Sequence, residues 1–255
     1  MRDRGIFDLS GKVALVTGGS RGLGREMVRA FARAGADVVI ASRKRDACEE
    51  LAAEIRSTTG RDALGVACHV GEWEQVGRLA ETTYAHFGKI DVLVNNAGLS
   101  PIYDHVSNVT EALYDKVLDV NLKGPFRLSA IVGTRMVQGD GGSIIFVSST
   151  ASQSPGANTI PYGAAKAGVN NMTVGFARAF APKVRVNCIV PGPFLTDISK
   201  AWDMEAFNRT VAKSILLQRG GEPEEIVGAA LYFASDASSF TTASQLVVSG
   251  GTAGG

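Results

Sequence analysis

Cysteine is scarce in this 255-residue chain: Cys48, Cys68 and Cys188 are the full complement, odd in number and without a CxxC pair. Neither a disulfide framework nor a zinc site is indicated, no metal is expected, and a reducing, cytoplasmic compartment fits. A basic excess is missing as well. Twenty-six Lys and Arg against 25 Asp and Glu leave a formal charge of +1, which gives no electrostatic footprint for nucleic acid and points to a small-molecule partner. No stretch reaches the roughly 18 uninterrupted apolar residues of a membrane span. The opening MRDRGIFDLSGK has no apolar h-region, so neither export nor a membrane partner is expected. Internal repeats, low-complexity tracts and linkers are also lacking.

What is present is a regular alternation. Short apolar runs, KVALVT (12–17), ADVVIA (36–41), ALGVACH (63–69), IDVLVN (90–95), GSIIFVS (142–148), VRVNCIV (184–190) and QLVVS (245–249), are separated by amphipathic stretches. The runs are apolar at consecutive positions, as strands covered on both faces require. The stretches 23–34, 45–57, 72–87, 110–136, 162–180 and 223–234 read as crossover helices. Glycine follows the first and third of them, in AGAD and FGKID, where a left-handed cap would end a helix. The fold class is α/β: one doubly wound parallel sheet of about seven strands with helices on both faces, its ligand crevice beyond the carboxyl ends of the strands.

The loop after the first strand, TGGSRGLG (17–24), places Gly18, Gly22 and Gly24 at the start of a helix. Backbone N–H groups and a helix dipole would face a diphosphate there, with no Cβ to hold it away. The second strand ends in Ser42 followed by Arg43 and Lys44, where a carboxylate would otherwise bind the ribose hydroxyls of NAD. Guanidinium groups at Arg43 and Arg21 suit a 2′-phosphate, so NADP(H) is the expected cofactor.

In GSIIFVSSTASQSPGANTIPYGAAKAG (142–168), Tyr162 and Lys166 stand four apart, on one face of a helix. A nearby ammonium stabilises a phenolate, which brings a side chain of pKa near ~10 toward use as an acid or base at neutral pH.

With these segments in order, the chain resembles the short-chain dehydrogenase/reductase family over nearly its whole length. TGGSRGLG (17–24) resembles that family's TGxxxGxG, NNAG (95–98) its fourth-strand motif, YGAAK (162–166) its YxxxK and PGPFLT (191–196) its PGxxxT loop. The 3-oxoacyl-carrier-protein reductase branch is the nearest in appearance, with gluconate and other polyol dehydrogenases close behind. The resemblance implies a single Rossmann domain over 1–255 with a substrate lid at about 194–217, acting on a small carbonyl or alcohol substrate as a homotetramer or homodimer. It makes Tyr162 the proton donor or acceptor. Lys166 becomes the ribose ligand that lowers the tyrosine pKa, Ser149 the substrate-oxygen ligand, and Asn121 the holder of a proton-relay water. Ser149 is preferred to Ser148 because it stands thirteen residues before Tyr162, the family's usual spacing. Cofactor contacts are implied for Gly18, Ser20, Arg21, Gly22, Leu23, Gly24, Ser42, Arg43, Val70, Asn95, Ala97, Gly98, Tyr162, Lys166, Pro191, Gly192 and Thr196.

His69 stands where many family members have an aspartate that accepts from the adenine amino group, and Ser249 where aspartate is common. A neutral imidazole could still accept through one nitrogen. Phe194, Leu195, Ile198, Trp202, Met204, Phe207, Ile215, Leu216 and Leu217 form a dense apolar set, read either as a lining for an apolar substrate or as packing. Tyr103 and His105 are further candidates for the pocket wall. Arg135, Arg178 and Lys183 are candidates for a carrier-protein patch near the entrance. A non-catalytic NADP(H) sensor on the same fold is the alternative of another class; such proteins usually lose the tyrosine or the lysine.

Overall fold

Consecutive apolar residues in the five inner strands serve two different cores, which is why those strands do not alternate. The computed structural model describes residues 5–196 and 204–252. Its strands are β1 (Val13–Thr17), β2 (Asp37–Ser42), β3 (Ala63–Ala67), β4 (Val92–Asn95), β5 (Gly142–Val147), β6 (Val184–Pro191) and β7 (Gln245–Val248). All pair in parallel, in the order β3-β2-β1-β4-β5-β6-β7.

The helices are α1 (Gly22–Arg33), α2 (Arg45–Thr59), α3 (Trp73–Phe87), α4 (Glu111–Leu118), α5 (Gly124–Gln138), α6 (Ile160–Phe180), α7 (Met204–Ser214) and α8 (Val227–Ala234). Ala14, Val16, Val38 and Ile40 join Met27 and Phe31 of α1, Leu51 and Ile55 of α2 and Phe233 of α8 in one core. Leu15, Val39, Ala41 and Phe146 face the other way, onto Leu79 of α3, Leu128 of α5 and Val169 of α6. Burial of this kind contributes about 1.5–3 kcal/mol per large apolar side chain, against the entropy of ordering it.

Strand order reverses between β1 and β4, so the crevice of the doubly wound sheet opens beyond the carboxyl ends of those two strands. The loops after β1, β4, β5 and β6 converge there.

Three sequence expectations need correction. The span 110–136 is not one regular helix, because a single π-helical turn, Asp119–Lys123, separates α4 from α5. A Cβ on Gly124 would collide with the carbonyl of Val70, so only glycine lets this turn approach the loop after β3 so closely. The stretch 223–234 begins as a 3-10 turn, Pro223–Ile226, closed by a capping box between Glu222 and Glu225, before α8 starts.

The apolar set of the expected lid does not act as one surface. Phe194 and Ile215 are buried while Leu216 and Leu217 are 79% and 64% exposed; Ile198 and Trp202 lie outside the described residues. Among the described residues, no helix is long and apolar enough to cross a membrane.

Candidate active site

The glycine loop is held from β4. Thr17 Oγ1 accepts from the backbone N–H of Asn96 and of Ala97, both at 3.1 Å, while Asn96 Nδ2 donates to the carbonyls of Thr17 at 2.9 Å and Gly18 at 3.2 Å. Gly18 and Gly22 take positive φ of 63° and 52°, which lets the chain turn from strand to helix at once. A Cβ on Gly24 would strike the Gly18 carbonyl and lie 2.6 Å from Asn96 Nδ2. No side chain caps α1, and its first turn holds no acid. Its first N–H groups and the positive end of its dipole are therefore left for an anion. Leu23 packs inward on the core.

At the end of β2, Ser42 Oγ accepts from Ser20 Oγ at 2.9 Å and lies 3.0 Å from Cys48 Sγ. Arg21 and Arg43 are exposed. Neither guanidinium has an ion pair or hydrogen bond to another described residue. One strand further, His69 Nδ1 accepts the N–H of Gly71 at 3.2 Å. That bond engages one of the two ring nitrogens through which an imidazole could accept.

Asn121 sits in the π-helical turn, fully buried. Its Nδ2 donates to the carbonyls of Leu99 and Val117, both at 2.9 Å, and its Oδ1 accepts from Leu99 N–H at 3.2 Å. Gly98 lies beside it, and a Cβ there would be 2.9 Å from Asn121 Oδ1 and 3.5 Å from Lys166 Nζ. Asn95 is turned away from this cluster, its Nδ2 donating to Ser129 Oγ at 2.9 Å.

The segment after β5 supplies two serines with different neighbours. Ser148 is buried, its Oγ donating to the Lys166 carbonyl at 3.1 Å and tying β5 to α6. Ser149 caps the 3-10 turn Thr150–Ser152, its Oγ accepting the Ala151 N–H at 3.2 Å, and is close enough to the Tyr162 phenol to favour its phenolate. Gly163 allows this approach: a Cβ there would lie 2.6 Å from Pro155 Cβ and 2.8 Å from the Ala151 carbonyl.

Lys166, 4% exposed, donates to the Val147 carbonyl at 2.8 Å and sits 5.7 Å from the centroid of the Tyr162 ring. Burial pulls its pKa down to about 8. The Tyr162 phenol is raised above its ordinary value, because burial outweighs the opposing hydrogen bond from Ser149. The expectation of a lowered tyrosine therefore does not hold in the ligand-free chain. At that distance, with burial weakening its own charge, the lysine does not offset the desolvation of the phenolate.

Beyond β6, Gly192 N–H donates to the Val248 carbonyl at 2.9 Å, and Ser249 packs against Gly192. Thr196 reaches the glycine loop: a Cβ on Gly22 would be 3.5 Å from it.

The family profile of short chain dehydrogenases matches residues 12–206. The chain belongs to this family. Human dehydrogenase/reductase SDR family member 4 is 36% identical over 246 residues, 96% of this chain and 88% of that protein. Among solved structures, an NADP-bound 3-oxoacyl (acyl-carrier-protein) reductase from Agrobacterium tumefaciens C58 superposes with a TM-score of 0.92 at 32% identity, covering 98% of both chains. A 7α-hydroxysteroid dehydrogenase complexed with NADH and 7-oxo glycochenodeoxycholic acid gives 0.93 at 31% identity, covering 99% of this chain and 98% of that one. The short-chain dehydrogenase described here is thus an oxidoreductase of alcohol and carbonyl groups.

The sequence reading did not single out the hydroxyl of Thr17, the amide of Asn96 or the bare Cα of Gly163. Their signals were TG at the strand end, the second asparagine of NNAG, and the glycine directly after the tyrosine.

Proposed function

We propose that this short-chain dehydrogenase is an NADP(H)-dependent reductase of a small ketone, nearest in kind to 3-oxoacyl reduction, with gluconate or polyol oxidation as the neighbouring reading. The observation that carries it is the convergence of Ser149, Tyr162 and Lys166 at the carboxyl end of β5, beside Asn121 and Gly98. The fit of the cofactor rests on the uncapped start of α1 and the Cβ-free cradle of Gly18, Gly22 and Gly24 for the diphosphate. Ser20, Ser42, Arg21 and Arg43 would hold a 2′-phosphate; two guanidiniums, in the glycine loop and after β2, with no ion pair among the described residues, favour NADP(H) over NAD(H). Val70, Asn95, Ala97, Gly98, Pro191, Gly192 and Thr196 would line the remainder. The bound nicotinamide supplies the hydride.

The protein's own residues supply orientation and the proton. Ser149 Oγ donates to the substrate oxygen and keeps the Tyr162 hydroxyl beside it. Tyr162 gives its proton to that oxygen as negative charge develops, while the Lys166 ammonium stabilises the phenolate left behind. Lys166 donates to the Val147 carbonyl and lies over the Tyr162 ring, 5.7 Å from its centroid. Asn121, with both polar atoms engaged on Leu99 and Val117, fixes the loop after β4 and the carbonyls that face a relay water. The intact set of Asn121, Ser149, Tyr162 and Lys166 speaks for a working enzyme over a cofactor sensor.

Carrier-protein docking at Arg135, Arg178 and Lys183 is not part of this reading. The first two lie at the carboxyl ends of α5 and α6 and the third just before β6, so all three are at the end of the sheet away from the site. Assembly as a homodimer or homotetramer is supported by the exposed Leu246 and Val247 on the edge strand β7 and by an apolar groove of about 570 Å³ lined by Leu118, Leu122, Phe126 and Met172. Steady-state kinetics with a ketone panel and both cofactors test the proposal: NADPH is expected to be used at much lower KM than NADH, and a preference for NADH would overturn the cofactor assignment.

A further inference from the structure

The first turn of α6 carries Tyr162 yet has little to hold it. The chain leading in, from Gln153 to Asn158, is exposed. Thr159, at the N-cap, makes no capping hydrogen bond to the helix; its Oγ1 donates instead to the Gly156 carbonyl at 3.3 Å. Pro161 has no N–H to bond. Two donors are then left at the head of the helix, the N–H groups of Ile160 and Tyr162, and the first is taken by a residue 57 positions away: Ile160 N–H donates to Tyr103 Oη at 2.9 Å. Tyr103 is 8% exposed and lies in the loop after β4.

Four residues earlier, the same loop is clamped at Leu99, whose N–H and carbonyl both bond the Asn121 side chain. The strap Leu99–Tyr103, stiffened by Pro101, therefore joins the π-helical turn that holds Asn121 to the helix turn that holds Tyr162.

We propose that Tyr103 is a positioning residue for the reaction: its hydroxyl replaces the missing N-cap of α6 and, through the strap, sets where Tyr162 stands relative to Asn121. The inference rests on the reading of Tyr162 as the proton donor. A side chain in this role changes turnover far more than cofactor affinity, because the glycine loop and the end of β2, which would hold the diphosphate and the 2′-phosphate, lie on other elements. Small displacements of a reacting group cost rate steeply, up to about 100-fold for 1 Å.

The test uses the full-length protein as Tyr103→Phe, which removes one hydroxyl and keeps the ring. Amide hydrogen exchange across 159–163 is measured alongside kcat for ethyl acetoacetate and NADPH affinity by fluorescence titration. The expected result is faster exchange at Ile160, a kcat lower by about tenfold, and an NADPH Kd within about twofold of the parent. Adding Thr159→Asp gives the helix a carboxylate cap that can accept the Tyr162 N–H. Slower exchange at Tyr162, the amide the new cap accepts, together with recovery of most of kcat in this double variant supports positioning.

Unchanged kcat in Tyr103→Phe overturns the proposal, whatever the exchange shows. So does restored protection with kcat still depressed, since the hydroxyl would then act by some route other than the helix. Tyr162→Phe, measured in parallel, separates the two readings. If it keeps turnover, the assignment of Tyr162 falls and this proposal with it; if it loses turnover while Tyr103→Phe behaves like the parent, only this proposal falls.

Discussion

Lys166 Nζ lies 5.7 Å from the centre of the Tyr162 ring and donates at 2.8 Å to the Val147 carbonyl, so the buried ammonium is anchored to β5 and lies over the ring of the phenol it serves. Burial alone accounts for the opposite movements of the two groups, the lysine to about 8 and the tyrosine upward.

The pH dependence follows from these directions. Reduction needs a protonated phenol and a charged ammonium, and the ammonium is lost as pH rises through about 8. Reductive kcat/KM should be level below that value and decline above it; a profile still rising beyond it would contradict the assignment.

Stability should move the other way. A lysine held at about 8 in the fold, against an ordinary 10.5, makes the folded protein bind fewer protons than the unfolded chain between those values, so stability rises with pH across that window. Lys166→Met should therefore be more stable than the parent at neutral pH, by about 1–3 kcal/mol after loss of the bond to Val147, while turnover disappears. The gain should vanish above pH 10.5, a contrast that urea unfolding across pH would reveal.

Asn121→Ala leaves the Leu99 N–H and the carbonyls of Leu99 and Val117 without their partner inside the π-helical turn. A loss of about 2–4 kcal/mol is expected in denaturant unfolding, together with a fall in kcat.

Gly163→Ala would press a methyl group against Pro155 and the Ala151 carbonyl and push the Ser149 turn away from Tyr162. Rate should fall by roughly 10- to 100-fold with NADPH affinity retained, as read by kinetics and fluorescence titration.

The layout of the sheet could be read directly from the sequence, because Val13–Val16 and Val38–Ala41 are apolar at every position and only a strand between two helical layers uses such a run. The Tyr162–Lys166 pair could be read as well, since four residues on a helix bring two side chains to one face, whereas Ser149 came from the resemblance. Other features depend on contacts that local pattern does not encode. Asn121 was expected from the resemblance, but the π-helical turn that carries it appears only where Gly124 meets Val70. Tyr103 finds its partner 57 residues on, and the His69 ring turns back to accept the N–H of Gly71. The rise of the tyrosine pKa was missed because spacing shows the neighbouring cation and does not show how deeply both groups are buried.

The proposed preference for NADP(H) would depend on Arg43. Arg43→Ala should raise KM for NADPH by about tenfold, the worth of one charge-assisted contact of roughly 1.4 kcal/mol, and leave NADH almost unaffected. Added salt should weaken NADPH binding more than NADH binding.

The central claim is that Tyr162 delivers the proton. The most direct measurement pairs turnover of a reducible ketone by Tyr162→Phe with NADPH titration of the same preparation. Loss of nearly all kcat with an NADPH Kd close to that of the parent is the predicted result, and near-normal turnover would contradict the account.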